Sequence, residues 1–176
     1  MSLGNQKASS LHCHHSLKLV YFALAYPFLQ YCISSWGGVN KTSLHPLFVK
    51  QKLIIKTMLF KRYDTSSSPL FKKLDLLKLP ENYQFQVGKL MHSQVKNNVV
   101  TSDNLCSIST VHSYNTRQAA NENYYVPSVH LNLGQTSFSY CGPIIWNSLP
   151  VEIKTASRFR FKTLLKRFLL QKYLTT

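Results

Sequence analysis

The chain has 176 residues, 44% of them hydrophobic and 12% aromatic. That is enough apolar matter for one packed domain or two small ones, and it excludes wholesale disorder. Lys and Arg number 21 against 6 Asp and Glu, a formal net charge of +15. An excess of this size points first to a nucleic-acid partner and next to an anionic membrane surface, with a solubilising basic surface as the plain alternative.

Residues 1–15 are polar and read as a disordered tail. The run Leu17 to Trp36 is almost continuously apolar and ends at Gly37-Gly38, which suits a helix C-terminus. Its length is close to that of a membrane span, but Pro27, Gln30, Ser34, Ser35 and Lys18 argue for a buried, kinked helix instead. Asn40 to Ser43 offers N-caps for a second helix, in which Leu44, Leu47, Phe48, Ile55, Met58 and Leu59 form an apolar stripe. Gln51 falls inside that stripe, where it would hydrogen-bond to a neighbouring helix rather than face water. A short helix is expected over Leu70–Leu77, and a third long helix over Glu81 to about Asn98, with Tyr83, Val87, Leu90 and Met91 on one face.

Near residue 100 the composition shifts to Ser, Thr, Asn, Tyr and Val. Tyr124–Val126 and Thr136–Tyr140 alternate weakly and predict a small antiparallel ribbon around an Asn132-Leu133-Gly134 turn. Pro143 and Pro150 bracket a short helical turn, with Trp146 as a core anchor whose indole N–H takes one partner. A last helix starts after Ser157, with Phe161, Leu164, Leu165, Phe168 and Leu169 on its apolar face and Arg158, Arg160, Lys162, Lys166 and Arg167 around the rest. The pattern as a whole is mainly α, a helical bundle over 16–100 followed by a mixed region over 101–176.

Chemistry is hard to find in these residues. The carboxylates are Asp64, Asp75, Glu81, Asp103, Glu122 and Glu152, with no adjacent pair to hold two metal ions or to share acid–base work. No catalytic residue is assigned. There is no Gly-x-Ser-x-Gly elbow and no Gly-x-Gly phosphate loop, and no cofactor is expected. His12-Cys13-His14-His15 has metal-ligand residue types but lacks a second ligand pair, so no metal site is assigned. Cys13, Cys32, Cys106 and Cys141 form no CxxC knuckle. With no apolar signal core behind the polar opening, reduced thiols in the cytosol or nucleus are expected rather than secretion. His112-Ser113-Tyr114-Asn115-Thr116-Arg117 packs polar, aromatic and basic groups into six residues. It reads equally as a phosphate- and base-contacting loop or as a turn whose Asn and Thr bond the backbone.

Several of these segments, in this order and spacing, resemble one family. They are Tyr21 to Gly37, Gln51-Lys52, Pro69 to Leu74, His112 to Arg117, Gly142-Pro143-x-x-Trp146-Asn147-Ser148-Leu149-Pro150 and the helix of Phe161-Lys162. Together they are similar to the C-terminal end of the reverse transcriptase of LINE-type (non-LTR) retrotransposons of the jockey-like group, over about residues 16–171. The resemblance implies thumb-like helices and the segment after them, and contact with template RNA or primer duplex. It carries over no catalytic residue, since the palm's Asp-Asp signature and the endonuclease have no counterpart here. The polar opening does not resemble the family's upstream region, which suits a truncated or decayed element.

The expected function is thus RNA or DNA backbone binding, through Lys52, Lys56, His112, Tyr114, Arg117, Lys162, Lys166 and Arg167. The alternatives are a polymerase whose palm lies on another chain, a basic interaction or structural protein, and a membrane-associated protein anchored by residues 17–36.

Overall fold

The computed structural model describes residues 15–97, 105–111, 114 and 116–172, and these are mainly helical. Helical residues 15–20 lead into a π-helical turn, Tyr21–Ala25. There follow α1 (Tyr26–Gln30), α2 (Ile33–Trp36), α3 (Lys41–Met58), α4 (Ser68–Lys73) and α5 (Leu79–Asn97). After these come α6 (Ile108–Val111), α7 (Arg117–Ala120), α8 (Asn132–Gln135), α9 (Phe138–Asn147), α10 (Val151–Lys154) and α11 (Arg158–Gln171). The chain forms two compact units. One comprises the described residues up to Cys32 together with Lys41–Leu79; the other comprises Ile33–Asn40 with the described residues from Pro80 on.

In the first unit the expected long helix over 17–36 is broken. Pro27 has no N–H to donate and its ring crowds the carbonyl four residues back. The turn ahead of it widens to the π form, and α1 ends at Gln30 before Cys32 takes a left-handed φ of 49°. Nor is the run buried all round. Tyr21 and Leu29 are in the core, while Leu24, Phe28 and Tyr31 are largely exposed. Among the described residues no helix is long and apolar enough to cross a membrane.

Gln51 organises this unit. It is 1% exposed on the inner face of α3, and its amide is used in both directions. Nε2 donates to the Tyr21 hydroxyl (3.0 Å) and the Leu77 carbonyl (3.1 Å), while Oε1 accepts from the Leu79 amide (2.9 Å). Only one orientation of the amide satisfies a carbonyl and an N–H together, so the network fixes it. Ile55, Leu70, Phe71, Leu74 and Leu76 close the core around these bonds. An apolar groove of about 380 Å³ remains open between residues 20–29 and 47–58.

The second unit is built on Trp146, fully buried on α9, whose Nε1 donates to the Glu122 carbonyl at 3.0 Å. The ribbon expected from 124–126 and 136–140 is not formed. Among the described residues the β contact is one isolated antiparallel bridge, Ser107 to Tyr124. The reason lies in Asn147. Its Oδ1 accepts from the Tyr124 amide (2.9 Å) and its Nδ2 donates to the Tyr124 carbonyl (2.8 Å), so a side chain occupies the edge a second strand would have used. Thr136–Tyr140 instead leads into α9, with Ser137 at the N-cap position. Pro143 therefore lies inside α9 rather than at the start of a turn, and Pro150 serves as N-cap of α10.

The paired glycines follow the end of α2, where the Gly37 amide donates to the Ile33 carbonyl at 2.7 Å, and they have a second use. Neither has a positive φ. A Cβ on Gly37 would lie 2.5 Å from Tyr83 Cδ2, and one on Gly38 would lie 2.7 Å from the Tyr83 hydroxyl, so the bare backbone makes room for the Tyr83 ring.

Replacing Gln51 by Leu is expected to lower the unfolding free energy by about 2 kcal/mol or more, because the Leu77 carbonyl and Leu79 amide are left unpaired in the core. Urea denaturation followed by circular dichroism measures this, and an unchanged midpoint would contradict the role given to the amide.

Candidate nucleic-acid interface

The basic residues singled out in the sequence do not share one fate. Lys52 and Lys56 sit one turn apart on α3, and both are partly engaged. Lys52 Nζ lies 4.0 Å from the centroid of the Phe48 ring. Lys56 Nζ donates to the Tyr63 carbonyl at 2.6 Å and lies 5.3 Å from that ring's centroid, fastening the loop after α3. In the polar motif, His112, Ser113 and Asn115 lie outside the described residues. Thr116 behaves as the turn reading requires: it N-caps α7, its Oγ1 accepting from the Ala119 amide at 3.3 Å. Tyr114 is 80% exposed and Arg117, at the start of α7, is also exposed.

A denser arrangement forms where α5 packs on α11. A Cβ on Gly88 would lie 2.9 Å from Leu165 Cδ2, so a glycine here lets the helices approach closely. Farther along α5, His92 stacks on Phe161, with ring centroids 4.0 Å apart and planes 24° apart. Its Nε2 donates to the Ala156 carbonyl at 3.0 Å, which assigns the proton to that nitrogen. Phe161 in turn stacks on Trp146 at 6.1 Å. The contacts run in opposite senses along the two helices, Gly88 with Leu165 and His92 with Phe161, so α5 and α11 are antiparallel.

This geometry lays cations along one seam. Lys89, His92 and Lys96 follow one another at three and four residues on α5, and Arg158 and Lys162 are one turn apart on α11. Their fields reach one another. Burial lowers the Lys89 pKa, and the like charge of Lys162 lowers it further. Burial also lowers the His92 pKa, the bond to Ala156 opposes this, and the charges of Lys96 and Arg158 add to the lowering. Lys96, Arg158 and Lys162 are exposed, and the Lys89 ammonium lies 5.1 Å from the centroid of the Phe85 ring. Lys166 continues the row one turn farther on and is half-buried, whereas Arg167 is exposed on a different face of α11.

The sequence reading found Lys162 and missed Lys89, Lys96 and Arg158 as its companions. The signal was present as the spacing Lys89-x-x-His92-x-x-x-Lys96, but nothing in one helix says which other helix will lie beside it.

Lys154 is a cation of another kind. It is 1% exposed, and its Nζ donates to the Asn121 carbonyl (3.0 Å) and Asn123 Oδ1 (2.6 Å), tying down the turn that receives the Trp146 indole. Burial lowers its pKa, and the nearby Glu122 partly offsets that. Among the described residues no group of three His, Cys, Asp or Glu is placed to hold a metal ion. In comparisons with known proteins, no family model, curated protein or solved structure matches the chain.

The buried His92 makes the second unit sensitive to acid. Its folded pKa lies below the ordinary 6.5, so the stability contributed by the neutral ring is present above that pH and is lost as pH falls beneath it. Thermal unfolding followed from pH 7.5 to 5 should show a falling midpoint. His92→Phe, which keeps the stacked ring and removes the proton site, should flatten that slope.

Proposed function

We propose that this chain corresponds to the region beyond the palm of a LINE-type reverse transcriptase, with thumb-like helices in its first half, and that it grips the sugar-phosphate backbone of RNA or DNA without catalysing a reaction. The observation that supports this reading best is the seam of α5 and α11. Lys96, Arg158 and Lys162 are exposed along the antiparallel pair that Gly88–Leu165 and His92–Phe161 hold together, and beyond the effect of burial Lys162 lowers the pKa of Lys89 while Lys96 and Arg158 lower that of His92. A fold gains nothing from concentrating like charges in this way, and a row of phosphates relieves the repulsion.

The seam is served by backbone contacts rather than base readout. Its donors are long, mostly exposed ammonium and guanidinium groups on a pair of helices, the kind of group that positions a duplex or strand without reading its sequence. Lys52, Lys56 and Arg117 are secondary in this reading, since Lys56 is committed to the Tyr63 carbonyl and Lys52 to the Phe48 ring. The ordered resemblance of Tyr21–Gly37, Pro69–Leu74, His112–Arg117 and Gly142–Pro150 supports the family in this reading, and the seam supports the binding role.

The test is binding of a labelled RNA duplex and an RNA–DNA hybrid across a salt series. Wild-type affinity should fall steeply with salt. A triple variant, Lys96→Glu, Arg158→Glu and Lys162→Glu, should lose at least about tenfold in affinity at low salt, and its log–log slope should be shallower by about one per lost contact. All three positions are exposed, and Glu at the first position of α11 favours the helix electrostatically, so the fold should survive. A folded wild-type protein that at low salt binds neither of these nor single-stranded RNA would overturn the reading.

A further inference from the structure

Among the described aromatic side chains, Tyr21, Phe71, Tyr83, Trp146 and Phe161 are buried, while others, Phe28, Phe60 and Phe159 among them, are largely exposed. Phe159 is the exposed one that lies on α11, beside the cations of the seam. It lies in the first turn of α11, two residues before the buried Phe161, and is 85% exposed. The buried face of α11 is defined by Phe161, Leu165 and Leu169. At 100° per residue Phe159 points away from it, on the side shared by Lys162, Thr163 and Lys166. Arg158 and Arg160 flank it in sequence, and both are exposed.

We propose that Phe159 is a stacking platform for an unpaired base, and that the strand held along α11 is single-stranded. This rests on the nucleic-acid reading of the seam and narrows it. The chemistry is that of single-strand grooves: cations follow the phosphates while an aromatic face takes the base, and every base has a π-face to offer. A duplex cannot use such a ring, because its bases are already stacked and paired. An exposed phenyl also costs solvent contact at a place where Arg, Lys or Thr would be cheaper for a helix surface. Exposed Arg158, Arg160, Lys162 and Thr163, with half-buried Lys166, on the same helix as one exposed ring therefore favour a ligand that carries both negative charge and flat apolar faces.

The experiment compares labelled oligouridylate with a blunt RNA duplex, for the wild-type chain and for Phe159→Ala, Phe159→Leu and Phe159→Tyr. Phe159 makes no core contact that these changes remove, and matched circular dichroism and melting curves check that the fold is kept. Phe159→Ala and Phe159→Leu should weaken oligouridylate binding roughly tenfold or more, with Phe159→Tyr close to wild type and duplex affinity and salt slopes unchanged. Leu keeps apolar bulk without the π-face, so a wild-type-like Leu variant would overturn the proposal. So would an equal loss on duplex and single strand, or no loss in any variant. Loss of binding to phosphatidylserine vesicles with oligouridylate binding intact would assign the ring to a lipid surface and overturn it as well. Wild-type protein that binds neither RNA would overturn the nucleic-acid reading itself. Binding of both RNAs with no effect at Phe159 would overturn only the stacking platform.

Discussion

With 21 cations and 6 carboxylates, this chain cannot be held together by ion pairs, and its hydrogen-bonded cross-links fall to neutral amides. The ion pairs at Lys18–Asp75 and Arg62–Asp64 join partly or largely exposed side chains, where such pairs contribute little. The buried work is done by Gln51, which fixes α3 against Tyr21 and the Leu77–Leu79 linker, and by Asn147, which takes both backbone groups of Tyr124. An amide has a donor and an acceptor side, so it can replace a strand or bridge two segments without bringing a charge inside. Lys154 is the exception, and it too is satisfied by amide and peptide oxygens from Asn121 and Asn123.

The same economy explains why the seam of α5 and α11 can exist. Gly88 and the stacked pair of His92 and Phe161 bring the two helices close through apolar and aromatic contact, with the Ala156 carbonyl as the ring's partner. None of that attachment depends on Lys89, Lys96, Arg158 or Lys162, so their mutual repulsion is tolerated rather than relieved internally. His92 sits where the two demands meet. Its burial favours the neutral ring, and the neighbouring cations add to that preference.

Much of the helical framework was legible from spacing alone, and the failures are instructive. The stripes of α3 and α11 and the role of Gln51 follow from a period of 3.6 and from the rule that a polar group in an apolar stripe needs a partner. The break at Cys32 was not legible, because a left-handed φ at a non-glycine residue leaves no compositional trace. The ribbon failed for a related reason. The weak alternation of Tyr124–Val126 is compatible with an extended segment, which is what forms, but its partner is the Asn147 side chain, far along the sequence and on a helix. Gly37 and Gly38 do follow a helix end, but their second use, as room for the Tyr83 ring, depends on a residue more than forty positions away. Candidate binding residues fared similarly: a single helix shows which lysines share a face, while only packing shows which faces combine.

A seam of like charge also has a thermodynamic consequence that ties stability to occupancy. Lys89 and His92 have lowered proton affinity partly because positive neighbours surround them. An anion seated along the seam cancels part of that field, so it must raise both affinities, and by reciprocity proton uptake there must strengthen anion binding. Acid therefore acts on the second unit in two opposing ways. It loosens the empty unit by protonating the buried ring of His92, and the positive charge added there would favour an anion on the seam. Because His92 is stacked on Phe161, and Phe161 on Trp146, the state of the seam is transmitted by direct contact to the centre of that unit's core.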